Sequence, residues 1–200
     1  MKMTSKIIKP MFRVLLLINM ILIGFLSYYL VKDNRAKEPE VSRIDLKNKL
    51  GNNRVVISNE DKMPPPIIKG KKYERRFQPA GLLFYDKNGD ERGGIAVSED
   101  EETNINVIAF DYQNADAIGI IAQDNKHDDY FRSGLMINDK DLSGKPGYNI
   151  NRINLETENG NASLVIKDAQ EIPRIVLSVD SIGKPSIEMF DENGESTWSQ

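Results

Sequence analysis

The stretch LFYDKNGDERGGIAV, residues 83–97, places side-chain oxygens at alternate positions: Asp86, Asn88 and Asp90. That spacing begins a calcium loop, in which positions one, three and five face a hard cation. The loop then needs glycine at position six for its sharp turn and a bidentate glutamate at position twelve. The chain has Glu91 and Val97 there. The flanks GLLFY and GGIAV have strand character, not the helical periodicity of an EF-hand. The stretch is expected to be a turn, and its acidic residues turn formers.

Other chemistry is thinly supplied. There is no cysteine, which excludes thiol nucleophiles, disulfides and thiolate metal sites. His127 is the only histidine, so any Ser-His-Asp triad would have to use it. It sits in the polar run DNKHDDYF beside Asp128 and Asp129, where a solvated loop is expected. Paired carboxylates of the glycoside-hydrolase kind remain available. The densest acidic run, SEDEET at 98–103, reads as a solvated face. A mixed cluster, Asp111, Tyr112, Asn114 and Asp116 in FDYQNADAIG, has the composition of a site lining, and a hairpin turn explains it equally well. Five basic residues, Lys69, Lys71, Lys72, Arg75 and Arg76, crowd KGKKYERR just after the run Pro64–Pro66. Consecutive prolines favour polyproline II and cannot donate to a ladder. This segment is expected to be a loop packed over a sheet. Its alternative role is contact with an anionic headgroup, polysaccharide or acidic partner, worth ~1 kcal/mol per basic residue near an anionic membrane. No metal or cofactor is implied.

These residues must be positioned by elements, and the first element is an anchor. Val14–Val31 is uncharged, with Asn19 its one strongly polar member, and Met11–Val31 reaches the ~20 residues a bilayer core requires if Arg13 snorkels. Tyr28 and Tyr29 lie at the far end, where aromatic rings favour the interface. The run is longer than a signal h-region and no A-x-A-like site follows, so an uncleaved single-pass anchor is expected. Basic flanking residues tie, four on each side. A short lysine-rich tail resists translocation, whereas a long C-terminal domain crosses regardless of charge. This predicts a cytoplasmic tail 1–10, a membrane helix 11–31, a linker 32–41 spanning at most ~35 Å, and an extracytoplasmic domain 42–200. After residue 31, 23 basic and 30 acidic residues leave a net −7, a poor match to nucleic acid.

Within 42–200 one pattern recurs. D-x-x-G-x-x-R fits Asp86, Gly89 and Arg92. Looser copies begin at Asn48, Asp141, Asp168, Asp180 and Asp191, with Glu171 in the glycine place of the Asp168 copy. An Asp or Asn opens such a turn by accepting backbone hydrogen bonds, and glycine supplies positive φ. Short β-branched runs flank most copies, and others follow, including INVIAFDY, AIGIIAQ, RSGLMIN and YNINRINLE. The pattern predicts an all-β domain of about 12 strands in repeated antiparallel hairpins. A barrel, a propeller-like array and a rolled meander are all compatible.

The succession RIDLKNKLGNNRVVISNED, PPIIKGKKYERRFQPAGLLFYDKNGDERGGIAV, IAFDYQNADAIGI and IPRIVLSVDSIGKPSIEMFDENG, about residues 43–195, resembles a family of exported or membrane-anchored bacterial proteins of unknown function. The resemblance implies an extracytoplasmic single domain and carries no catalytic or binding residue. Similar proteins often have cysteine where this chain has Arg92, so no role of that thiol transfers. The expectation is an anchored β domain for binding or scaffolding in the cell envelope. Its partners would be the membrane and an envelope protein or polysaccharide. The alternative is a carboxylate-dependent hydrolase of envelope polysaccharide. A catalytic site would need a pocket of converging carboxyl groups with a shifted pKa; a binding module would need an exposed apolar or edge-strand surface.

Overall fold

A computed structural model describes residues 4–33, 40–75 and 77–200. The chain divides into two compact units, Met1–Val41 and Ser42–Gln200. In the first, helix α1 runs Thr4–Asp33, extending past both ends of the expected span. Its stretch Pro10–Leu30 has a mean hydropathy of 2.0 and none of it is buried, so by length and composition it can cross a bilayer or serve as a signal sequence. The Asn19 amide donates to Leu15 O at 3.0 Å, which satisfies that donor within the helix itself.

The second unit is antiparallel β. Its main strands are β1 (Arg43–Lys47), β2 (Asn53–Ser58), β5 (Ala80–Tyr85), β6 (Glu91–Glu99), β7 (Thr103–Asp111), β8 (Asp116–Asn125), β9 (Phe131–Lys140), β10 (Asn149–Glu158), β11 (Asn161–Lys167), β12 (Pro173–Val179), β13 (Pro185–Phe190) and β14 (Ser196–Ser199). They form one 12-stranded sheet in chain order. The short strands β3 (Ile67–Ile68) and β4 (Lys71–Lys72) make a separate two-stranded hairpin within the 59–79 connection.

Two expected architectures are not what forms. β1 and β14 are opposite ends of the sheet order, and among the described residues no ladder joins them, so the sheet is open and not a barrel. A propeller divides its strands among separate blades, whereas these twelve share one sheet. Nearest-neighbour hairpin pairing sets the order; closure needs in addition a shear that returns the last strand to the first.

The turns explain the recurrent acidic residues. At Asn48, Asp86, Asp168, Asp180 and Asp191, Oδ1 accepts the N–H groups of residues two and four further on, at 2.8–3.1 Å. In each, the residue three further on has positive φ: Gly51, Gly89, Glu171, Gly183 and Gly194. This is a tight turn closed by a left-handed residue, the geometry of a three-residue hairpin loop. The copy at Asp141 departs from it. Its carboxylate binds the N–H and hydroxyl of Ser143, and a longer connection follows.

Alternation then sorts side chains onto two faces. On one, partners in register form an unbroken aliphatic row from β1 to β13: Ile44, Ile57, Leu82, Ile95, Ile108, Ile120, Leu135, Leu155, Leu164, Leu177 and Ile187. A second row runs beside it, where Phe84 and Phe110 stack at 6.2 Å across the gap left by Gly93. A Cβ on Gly93 would lie 2.1 Å from Ala109 O, and its φ is 111°, so only glycine fits. The opposite face carries Val56 and Leu83, which with Tyr85 and Met63 form the buried core. Beyond β9 that face is mixed, with Asn154, Glu156, Ser163, Ser178 and Ser186 beside Val165 and Val176.

Candidate functional site

Two features carry enough organised chemistry to act on another molecule. The first lies on the cored face, where the 59–79 connection covers part of the sheet. Met63 packs on Val56, Leu83 and Tyr85. Arg75 grips Pro64 O and holds both Glu91 oxygens, at 3.2 and 2.6 Å. Gly70 N–H donates to Asp90 Oδ1 at 2.7 Å, and Lys69 Nζ reaches Gly144 O at 2.9 Å. Between connection and sheet lies a cavity of about 640 Å³ whose lining includes Arg75, Phe77, Glu91, Asp111 and Asp116.

Asp111 ends β7 and Asp116 opens β8; they are register partners across a bulge. Burial pushes the Asp111 carboxyl up to about 8, helped by the Asp116 charge, a hydrogen bond with Asp116 and the Glu91 charge, with Arg92 opposing. One Asp111 oxygen has no protein hydrogen-bond partner. Burial and the neighbouring carboxyl together favour the protonated form of Asp111.

The remaining residues singled out by composition are placed as follows. Tyr112 OH donates to Asn138 O at 3.1 Å. Asn114 is 1% exposed, and its amide donates to Tyr148 O at 2.7 Å and Lys145 O at 3.4 Å. Both side chains tie the β7–β8 turn to neighbouring backbone. Asp111 and Asp116 alone of that cluster line the cavity. Of the basic residues, Lys71 and Lys72 are exposed on β4, Lys69 and Arg75 bond inward, and Arg76 lies outside the described residues. The Asp86 carboxylate is filled by its turn and by Arg92 at 2.7 Å, and Asp90 by Gly70. His127 is exposed, with Nε2 3.0 Å from Glu101 O. Among the described residues no three His, Asp or Glu side chains gather in a way that could hold a metal. The contributions of Glu91 and Arg75 to the cavity were not apparent from sequence, because they come from separate segments joined only by the fold.

The second feature is the aliphatic face. Ile57 is 47% exposed, Ile95 46%, Ile120 53% and Leu155 53%, and nothing among the described residues covers the row. Ten steps of ~4.8 Å make the row about 48 Å long. With its flanking row it forms one continuous apolar patch, the kind of surface that marks an interaction site. Over β8–β13 the face forms a shallow, widely open trough of about 720 Å³, lined by Ile120, Leu135, Leu155, Leu177, Val179 and Ile187 among others. One signal for this face was present in the sequence: in β1, β10 and β13 the Ile or Leu of the row stands between two polar residues, Arg43 and Asp45, Asn154 and Glu156, and Ser186 and Glu188.

No protein-family model matches the chain, and neither a curated protein nor a solved structure matches it.

Proposed function

We propose that this chain is a single-pass membrane-anchored protein whose extracytoplasmic β domain binds an apolar partner or ligand in the cell envelope. One observation carries the reading: the unbroken Ile/Leu row across eleven strands, open to solvent on one face of an unclosed sheet. A chain gains nothing in folding from leaving a continuous apolar surface across eleven strands in water, so such a surface is a binding surface. The long apolar helix near the N-terminus supports anchoring, and the resemblance to exported or anchored proteins supports the outside placement. The exposed Lys71 and Lys72 offer an accessory contact to an anionic envelope polymer.

The test uses the absence of native cysteine. Ser199→Cys in the full chain is exposed to an impermeant maleimide in intact cells whose outer barrier has been permeabilised. Labelling before lysis is expected. Labelling only after the inner membrane is broken overturns the placement.

A second reading, hydrolysis of polysaccharide by paired carboxyls, is favoured by Asp111 and Asp116 in their cavity. Its geometry is poor. Glycoside hydrolysis holds its two carboxyls about 5 Å or more apart to flank the scissile bond, whereas these two are hydrogen-bonded to each other. We assign the pair a structural role.

A further inference from the structure

We propose that the concave part of the apolar face, over β8–β13, holds the acyl chains of a membrane lipid; this rests on the membrane-anchored reading above. Five considerations select this occupant. The volume, about 720 Å³, is that of a small-ligand site. Apart from Ser133 and Thr157 at one end, the side chains projecting into it are apolar, and Glu156, whose backbone borders it, projects to the other face because its neighbour Leu155 faces in. Such a lining matches hydrocarbon and offers no charge to a peptide or sugar.

Shape argues against a second copy. Two identical concave faces laid together enclose a void, whereas sheets that pack as a sandwich interdigitate their side chains ~10 Å apart. A slender flexible chain fills a trough that a second sheet cannot.

The polar margin is also placed for a lipid. Ser133 and Thr157, whose hydroxyls bond each other at 3.1 Å, border the trough toward the ends of β8 and β10. Those ends lie on the same side of the sheet as Arg43, where the chain from the helix enters β1. Headgroups therefore have a polar rim on that side. Finally, on that anchored reading the domain is tethered to a bilayer, so lipid is the apolar ligand at highest effective concentration.

The experiment uses the full chain reconstituted in phosphatidylcholine–phosphatidylglycerol vesicles containing acyl-chain spin-labelled phosphatidylcholine. Single cysteines carry an environment-sensitive fluorophore: Leu155→Cys in the trough, Glu156→Cys on the opposite face, Ile57→Cys on the apolar face outside the trough, and Ile23→Cys in α1. The expected result is strong quenching at 23 and 155, with little at 156 or 57. Ala162→Trp, which fills the trough, is expected to reduce quenching at 155 several-fold while the β signal in circular dichroism is unchanged. Quenching at 23 but not at 155 overturns the lipid proposal and leaves the anchor standing. Equal quenching at 57 and 155 means that the whole face lies on the bilayer, which also overturns it. A shielded but unquenched label at 155, with copies crosslinking to each other, assigns the face to a second copy. Absence of quenching at 23 removes the anchor, and the proposal with it. Quenching at 155 that survives Ala162→Trp overturns the assignment to the trough.

Discussion

At the scale of single residues, the polar groups near the β7–β8 turn divide into structural ties and one carboxyl, Asp111, whose burial shifts it. Asn114 sits at 1% exposure and satisfies Tyr148 O. Asn114→Ala leaves that carbonyl unpaired and opens a void, so a loss of about 2 kcal/mol is expected in urea unfolding. Tyr85 gives the opposite case. Its hydroxyl is buried with no protein partner, and burial raises its pKa. Tyr85→Phe removes a desolvated group and keeps the ring, so stability is expected unchanged or higher by up to about 1 kcal/mol. The Asp111–Asp116 pair gives a pH dependence with a definite sign. The folded Asp111 value, about 8, lies above the unfolded value of about 3.9. Its contribution is therefore complete below about pH 4 and lost as pH rises through about 8. Unfolding measured between these limits should show falling stability in the parent chain and a flatter profile in Asp111→Asn. Asp86 acts in the other direction. Burial works against its ionised form, but Arg92 and the N–H groups of Asn88 and Asp90 outweigh it and hold the carboxyl below the usual range. Its contribution is present above the unfolded value and lost on acidification.

At the scale of elements, the turn repeat shows how local chemistry builds the sheet. Glu171 stands where the other copies have glycine, at φ 64°. That conformation costs a non-glycine residue roughly 1–2 kcal/mol. Its Oε1 accepts the Asn151 N–H at 2.7 Å, at the bulge in β10. Glu171→Gly exchanges the bond for relief of strain and should shift stability by less than about 1 kcal/mol. Glu171→Ala keeps the strain and loses the bond, and is expected to cost about 1–2 kcal/mol in the same measurement. These turns were legible in the sequence because Asp or Asn followed three residues later by glycine acts only on its own hairpin. The strands were legible for a similar reason, since alternation and β-branched residues are local. Closure was not: whether β14 meets β1 depends on twist and shear accumulated over twelve strands. The Asp111–Asp116 pair was half legible. The residues stood out, but the raised Asp111 carboxyl depends on its burial, on the bulge that sets it against Asp116 and on Glu91 from β6. The row from Ile44 to Ile187 depends on register, which no single strand reveals.

At the scale of the whole molecule, the sheet is amphipathic and its apolar side is left in water. The apolar core of the opposite face lies beneath the 59–79 connection, around Val56, Leu83, Tyr85 and Met63. Beyond it the face mixes polar residues with Val165 and Val176. The two free edges, β1 and β14, are short, at five and four residues. Short edges limit strand-by-strand polymerisation, which leaves the apolar face as the principal surface for association. The most direct measurement is the reaction rate of single cysteines in the folded full chain, without added lipid, toward a small soluble maleimide. Ile57→Cys and Ile108→Cys, on the row but outside the trough, should react at close to the rate of Ser199→Cys and orders of magnitude faster than Val56→Cys in the core. If positions 57 and 108 are as slow as 56, another part of the protein already covers the apolar face, and its assignment as a binding surface is wrong.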